Sequence, residues 1–324
     1  MRTDAELGLV GDIGGTNARF AWLDLHYPST GPQAAMDLRA RDHATVQDAI
    51  EAYLKKAGLD RRPAHVVLAV AGPVDNGAIR FTNMDWAFSE RELEASGFTS
   101  ARLINDFAAL AHAAANLSED ATRSLGGPAE GARDQPIAVL GAGTGFGVSA
   151  LARDGRSEAV LATEGGHIAF APTDDVEIEV LRFLIKRFGR VSVERILSGP
   201  GLCNLHQALG EIEGRLEPID DPVVITERAA KGDPTAGRTV ERFCAIFGCV
   251  AGDFALALGA RGGVFIAGGI AASIIDQIER SAFRTRFEDK GRFRGYMQAI
   301  PTRVIMRPHA ALVGAAQVLP RFTL

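Results

Sequence analysis

Short apolar runs that end in glycine alternate along the chain with stretches whose apolar residues recur at helical spacing. That is the pattern of an α/β protein with buried strands. Residues 9–10 open a strand that turns at Gly14-Gly15 and returns over 18–23, and residues 45–56 read as an amphipathic helix. His65–Val70 (HVVLAV) reads as a buried strand stopped by the breaker Gly72-Pro73. Residues 102–104 form a short strand and 107–117 an alanine-rich helix. Residues 118–135 then turn polar around Gly126, Gly127, Pro128 and Gly131, which makes them the best candidate boundary between two lobes. A second strand begins over 137–140, with another glycine turn and a returning strand over 148–151.

The two openings resemble each other. VGDIGGTNARFAWLD and LGAGTGFGVSALARD each run apolar strand, glycine turn, apolar strand, aspartate, about 130 residues apart. We read this as a weak internal repeat, with one hairpin from each of two related lobes.

The chain has 324 residues, 47% of them hydrophobic, enough for more than one domain of ordinary size. A formal net charge of -5 argues against a nucleic-acid partner, because a phosphate backbone calls for clustered positive charge. The N-terminus is acidic where a signal peptide is basic, and the apolar region 243–270 is broken by Asp253, Arg261 and glycines. We therefore expect no membrane span and a cytoplasmic protein. Cys203, Cys244 and Cys249 form no Cys-x-x-Cys pair and read as buried small hydrophobes.

Glycine turns are the first candidates for chemistry. Gly14 and Gly15 let backbone N–H groups approach an anion, with Thr16 and Asn17 as added donors. Asp12 beside bound phosphates makes sense only with a cation, so we infer Mg²⁺ held by Asp12 directly or through water. A hairpin in which Asp12 and Asn17 cap their own backbone fits the spacing equally well. The second turn, Gly141-Ala142-Gly143-Thr144-Gly145-Phe146-Gly147, tips the balance, since alternating glycines cost folding entropy. The chain lacks a P-loop motif, and Phe146 occupies the position of the third glycine in a dinucleotide fingerprint. In GGVFIAGGI, a buried strand ending at Gly268-Gly269 could lie against a flat ring, or could simply pack closely on a helix.

Polar residues supply the rest. Asn105-Asp106 follows a strand and precedes a helix, where a carboxylate can project into a site or serve as an N-cap. Glu164-Gly165-Gly166-His167 sets an acid and an imidazole on either side of a flexible turn, without the Cys or His partners a zinc site needs. Glu194 sits in an otherwise apolar run and could equally pair with Arg195 or lie exposed. In Thr82-Asn83-Met84-Asp85-Trp86, the indole is more often core than ligand platform.

Together these segments resemble the bacterial glucokinases of the actin, Hsp70 and sugar-kinase superfamily. GDIGGTNARF and GAGTGFG look like that family's two phosphate segments, and GGVFIAGGI like its adenosine segment. TNMDWAF, LINDF, EGGHIAFAP and VERILSGPG resemble its sugar segments, in the same order, over residues 9–308. The resemblance implies a two-lobed actin-like (ribonuclease H-like) α/β fold with a cleft between the lobes. The expected organisation is a small lobe of residues 1–117 plus about 307–324 and a large lobe of 118–306. It implies ATP-dependent phosphorylation of D-glucose at the 6-hydroxyl, with Asp106 as general base. Asn83, Asn105, Glu164, His167 and Glu194 would bind sugar. Asp12, Gly14, Gly15, Thr16, Asn17, Gly141, Gly143, Thr144, Gly145, Gly268 and Gly269 would hold Mg²⁺ and ATP. Residues 169–175 contain no cysteine, which places the chain in the zinc-free branch, and Ala169 replaces a residue often polar in relatives. Relatives are commonly homodimers. The alternatives are a kinase for another hexose or amino sugar, a silent ATP-binding scaffold and a sugar-sensing repressor. For the repressor, only about ten residues precede the first turn, too few for a helix-turn-helix.

Overall fold

In the computed structural model, which describes residues 6–59, 61–81, 84–215 and 218–322, the first glycine turn joins two antiparallel strands. They are β1 (Leu7–Ile13) and β2 (Asn17–Asp24). With β3 (Gln33–Arg39), β4 (His65–Val70) and, further along, Ser100–Asn105 they make a sheet. The short β5 (Ala78–Arg80) and β6 (Ala87–Ser89) pair as a separate ribbon, so Ser100–Asn105 is β7 and the sheet order is β3-β2-β1-β4-β7. β4 is buried at every position because it pairs in parallel with β1 on one side and β7 on the other.

One face of this sheet carries α1 (Val46–Ala57), whose Val46, Ile50, Tyr53 and Leu54 join Phe20, Leu68 and Leu103 in one apolar cluster. Thr45 caps α1 and Asp48 returns the bond, a reciprocal capping box. Trp86 is buried in the same cluster with its indole N–H on the His43 carbonyl, a core residue. α2 (Glu90–Ala95) precedes β7, and α3 (Asp106–Ala114) follows it directly. The C-terminal helix Ala310–Val318 packs on α3 so closely that a side chain at Gly314 would strike the Ala109 carbonyl.

A second sheet has the order β11-β10-β9-β12-β13-β8. It is built from β8 (Thr122–Gly126), β9 (Ile137–Ala142), β10 (Phe146–Arg153), β11 (Glu158–Thr163), β12 (Gly263–Ala267) and β13 (Thr302–Ile305). Its helices include α4 (Asp175–Phe188), α5 (Gly199–Ile212), α6 (Pro222–Ala230) and α7 (Pro234–Ala257). On α7, Phe243 and Phe247 stand edge-on to each other, and Phe247 also meets Phe146 and Phe283.

Chain contacts separate two compact units, Met1–Leu117 with Arg307–Leu324 and Ser118–Met306. Each has its own core. The first five strands of the main sheet in either unit follow one plan. A hairpin and a third antiparallel strand lie on one side, and two parallel strands on the other. The polar stretch after residue 117 is not all loop: β8 forms within it, antiparallel to β13. Its sequence, TRSLG, buries only two side chains and offers no alternation to read. Among the described residues no helix is long and apolar enough to cross a membrane.

Candidate active site

In the first unit, hairpin register makes Asp12 and Arg19 direct cross-strand partners, with Arg19 opposite Asp37 on its other side. Arg19 Nη1 lies 3.0 Å from Asp12 Oδ2 and Arg19 Nε 3.3 Å from Asp37 Oδ2. Burial pushes the Asp12 carboxyl above its ordinary value, and the adjacent guanidinium offsets this only in part. Asp12 therefore does not cap its own turn. The turn closes through the Gly14 N–H on the Asn17 carbonyl at 2.9 Å, leaving Gly15 and Thr16 exposed. His309 Nδ1 is 3.7 Å from Asp37 Oδ1, and its backbone is in the left-handed region at φ 56°.

Strand β7 delivers Asn105 and Asp106 to the start of α3. The cap falls to Asn105, whose Oδ1 accepts from the N–H groups of Phe107 (2.9 Å) and Ala108 (3.1 Å). Its Nδ2 donates to the Gly72 carbonyl at 3.3 Å. Asp106 is the first helical residue, half-buried, with Oδ1 accepting from the Phe107 N–H at 2.9 Å. A negative side chain is favoured at a helix N-terminus. Asn83 lies outside the described residues.

In the second unit three separate motifs meet at Phe146. Glu194 Oε2 accepts the Phe146 N–H at 2.8 Å. A side chain at Gly166 would collide with the Phe146 carbonyl, so the EGGH turn needs glycine there to sit against β10. The Gly143 carbonyl accepts from the Gly199 N–H at 2.8 Å, which ties the glycine turn to the start of α5. At the end of β12, Gly268 has φ 94° and rests on the Ala142 carbonyl, where a side chain would clash. Gly269 begins the short α8 (Gly269–Ser273), beside the turn. Gly141 is buried in β9, while Thr144 is exposed at the tip.

Glu164 precedes and His167 ends a single 3-10 turn, Gly165–His167, both exposed, with Nε2 to Oε2 at 4.0 Å. The strand-like contact of residue 169 with 192 and the Val193 N–H on the Ile168 carbonyl (3.0 Å) bring this turn alongside Glu194. Arg190 Nη2 donates to the His167 carbonyl at 2.6 Å.

The sequence model of the glucokinase family matches residues 9–321. The chain belongs to the glucokinase family. It is 56% identical over 313 residues to a glucokinase of Caulobacter sp. (strain K31), covering 96% of this chain and 94% of that one. A glucokinase crystal structure from an Antarctic psychrotroph matches with a TM-score of 0.88 at 35% identity, over 98% of this chain and 100% of that one. The crystal structure of a Balamuthia mandrillaris glucokinase in complex with glucose matches at TM-score 0.78 and 19% identity, over 99% and 95% of the two chains, a likeness of fold. The fold is the actin-like α/β fold of the sugar kinases.

Kinases of this family imply a divalent cation with the nucleotide, and the residues present fit Mg²⁺. Among the described residues no group of three His, Cys, Asp or Glu could cage a metal. Mg²⁺ arriving on phosphates would keep several waters and need only one or two carboxylates, a demand that Asp12 would meet. Arg19, with Asp37 behind it, was not singled out from the sequence. The signal was there, since Asp12 and Arg19 lie equally far from the centre of the turn and so face each other in a hairpin. The Glu194–Phe146 bond had no such local sign. All three cysteines are free and buried, and burial pushes Cys203 up to about 11 and Cys244 to about 12.

Proposed function

We propose that this enzyme transfers the terminal phosphoryl group of ATP to the 6-hydroxyl of D-glucose, with Asp106 as general base. The observation that carries the reading is the convergence on Phe146: the polar segments Glu164–His167 and Glu194 meet a glycine turn with an exposed tip. We read the first two as holding sugar hydroxyls and the turn as holding phosphate. The family's activity agrees with it.

In the proposed reaction Asp106 accepts the proton of the 6-hydroxyl as that oxygen attacks the terminal phosphorus, and the bond to the bridging oxygen of ADP breaks in line. Asn83, Asn105, Glu164, His167 and Glu194 bind and orient the sugar, and hydroxyl-specific hydrogen bonds allow analogues lacking them to be rejected. The Gly14 and Gly143 N–H groups close their own turns, so the backbone N–H groups of Gly15 and Thr16, and of Thr144 and Gly145, donate to phosphate oxygens, with Thr144 and Asn17 adding side-chain donors. Gly268 and Gly269 offer bare backbone to the adenosine. Asp12 would hold Mg²⁺, directly or through water, and the cation would supply charge neutralisation for the phosphates when bound. Further parts of the reading are a small and a large lobe matching residues 1–117 with 307–324 and 118–306, a cytoplasmic location and a homodimer.

The test is ADP release with ATP and Mg²⁺ across glucose, mannose, fructose and N-acetylglucosamine. Glucose should give the highest kcat/KM. No sugar-dependent ADP release would end the kinase reading, and a much higher value for another sugar would reassign the substrate.

A further inference from the structure

The segment that carries Glu194 also holds the second glycine turn in place. Glu194 Oε2 receives the Phe146 N–H at 2.8 Å, and Gly145 leaves room for that oxygen: a Cβ built there would lie 2.6 Å from it. Beyond Glu194, the Gly199 N–H donates to the Gly143 carbonyl at 2.8 Å, while the Gly143 N–H donates to the Gly145 carbonyl at 2.8 Å. The turn thus hangs from residues 194–199. That segment is fixed in turn by Ser198 Oγ on the Glu194 carbonyl (2.8 Å) and Asn204 Nδ2 on the Arg195 carbonyl (2.9 Å). On its other side the Val193 N–H reaches the Ile168 carbonyl, next to His167.

A carboxylate has two oxygens, and only Oε2 is taken by the turn. We propose that Glu194 is a positioning residue that couples the two substrates: Oε1 receives a sugar hydroxyl while Oε2 sets the phosphate-binding turn through the Phe146 amide. Sugar bound to one oxygen restrains the carboxylate, and the restrained carboxylate orders the N–H groups that meet the nucleotide. The inference rests on the reading above, that Glu194 contacts sugar and residues 144–145 contact phosphate. It adds that Glu194 governs nucleotide affinity even with no sugar present. By linkage, glucose and nucleotide then tighten each other's binding by the same factor.

The experiment is titration calorimetry of Mg²⁺ with the non-hydrolysable analogue AMPPNP, with and without glucose, on wild type and three variants. In wild type, glucose should tighten AMPPNP about fivefold or more, in the usual range for coupled sites. Glu194→Ala should weaken AMPPNP about fivefold or more in the absence of sugar. Glu194→Gln keeps an oxygen for the Phe146 N–H and should restore that affinity. Gly145→Ala pushes the carboxylate off the turn without removing it; the variant should bind glucose yet lose the effect of glucose on AMPPNP. Wild-type AMPPNP affinity in Glu194→Ala without sugar, or full coupling in Gly145→Ala, would overturn the proposal. Should Glu194→Ala fail to fold, Gly145→Ala against Glu194→Gln decides alone. A wild type that binds neither glucose nor AMPPNP would sink the function itself together with this inference. Binding of both with coupling unchanged in the variants would sink this inference only.

Discussion

Asp12 sits in the first hairpin as a half-buried carboxyl with one guanidinium against it and a second acid behind that guanidinium. Burial raises the proton affinity of Asp12 and Arg19 lowers it, so the state of this acid depends on its neighbour. Arg19→Met removes the opposing charge and leaves the half-buried carboxyl without this partner. We expect a stability loss of about 1–3 kcal/mol, the cost of stranding a buried polar group, read from urea unfolding. The same substitution should raise KM for Mg·ATP more than KM for glucose. An unchanged KM for Mg·ATP would detach the Asp12–Arg19 pair from nucleotide binding. The candidate polar residues were legible one by one from local context, Asp12 and the Glu164–His167 pair beside glycines, Asp106 between a strand and a helix, and Glu194 in an apolar run. Their partners were not. Asn105 reads as a sugar ligand from its motif, yet most of its hydrogen-bonding capacity is spent on the α3 cap and Gly72, which leaves one amide hydrogen for substrate.

Helix ends and strand edges mark where local sequence stops being informative. The helical pattern over 45–56 starts α1 one residue early, because Thr45 is the N-cap and closes a local capping box with Asp48. Thr45→Ala should cost about 0.5–2 kcal/mol, the usual worth of an N-cap, measured by chemical unfolding; a change near zero would mean the box adds nothing. At the start of α4 the decisive partners come from far along the chain. Asp174 caps the helix through the Glu177 N–H at 2.9 Å, and the nearly fully buried Glu177 meets Arg242 at 3.3 Å and Arg286 at 2.5 Å. Burial works against charge on Asp174, but the Glu177 amide and the Arg242 guanidinium outweigh it and hold the carboxyl below its ordinary value of 3.8. A depressed folded-state pKa gives stability that is present above the unfolded value and lost as pH falls through the folded one. Asp174→Asn should therefore be less stable than wild type at neutral pH, with the gap closing below pH 3.8. Equal unfolding midpoints at pH 7 would refute this. No sequence pattern could pair residue 177 with 242 and 286, because tertiary packing alone brings them together.

Across the whole molecule, the weak echo between GDIGGTNARF and GAGTGFG corresponds to a repeated plan of five strands, one copy in each unit. Hairpins and buried parallel strands were legible because their glycine turns and apolar runs are local. β8 was not, since an edge strand with two buried side chains needs only its neighbour β13. The second core reaches the site through Phe247, which packs edge-on against Phe146 with ring centroids 5.5 Å apart. Phe247→Ala should cost about 3–5 kcal/mol, as buried aromatic truncations do, and should also weaken nucleotide binding by loosening the turn that Phe146 ends. A stability loss with nucleotide affinity unchanged would separate core from site. The proposed function turns on one chemical step, the removal of a proton from a sugar hydroxyl, which we assign to Asp106. The most direct measurement is kcat of Asp106→Asn with glucose and Mg·ATP, alongside its Kd for glucose. We predict a fall in kcat of about 10²–10⁴-fold, the usual worth of a general base, with glucose affinity within a few-fold of wild type. A kcat near the wild-type value would contradict the account.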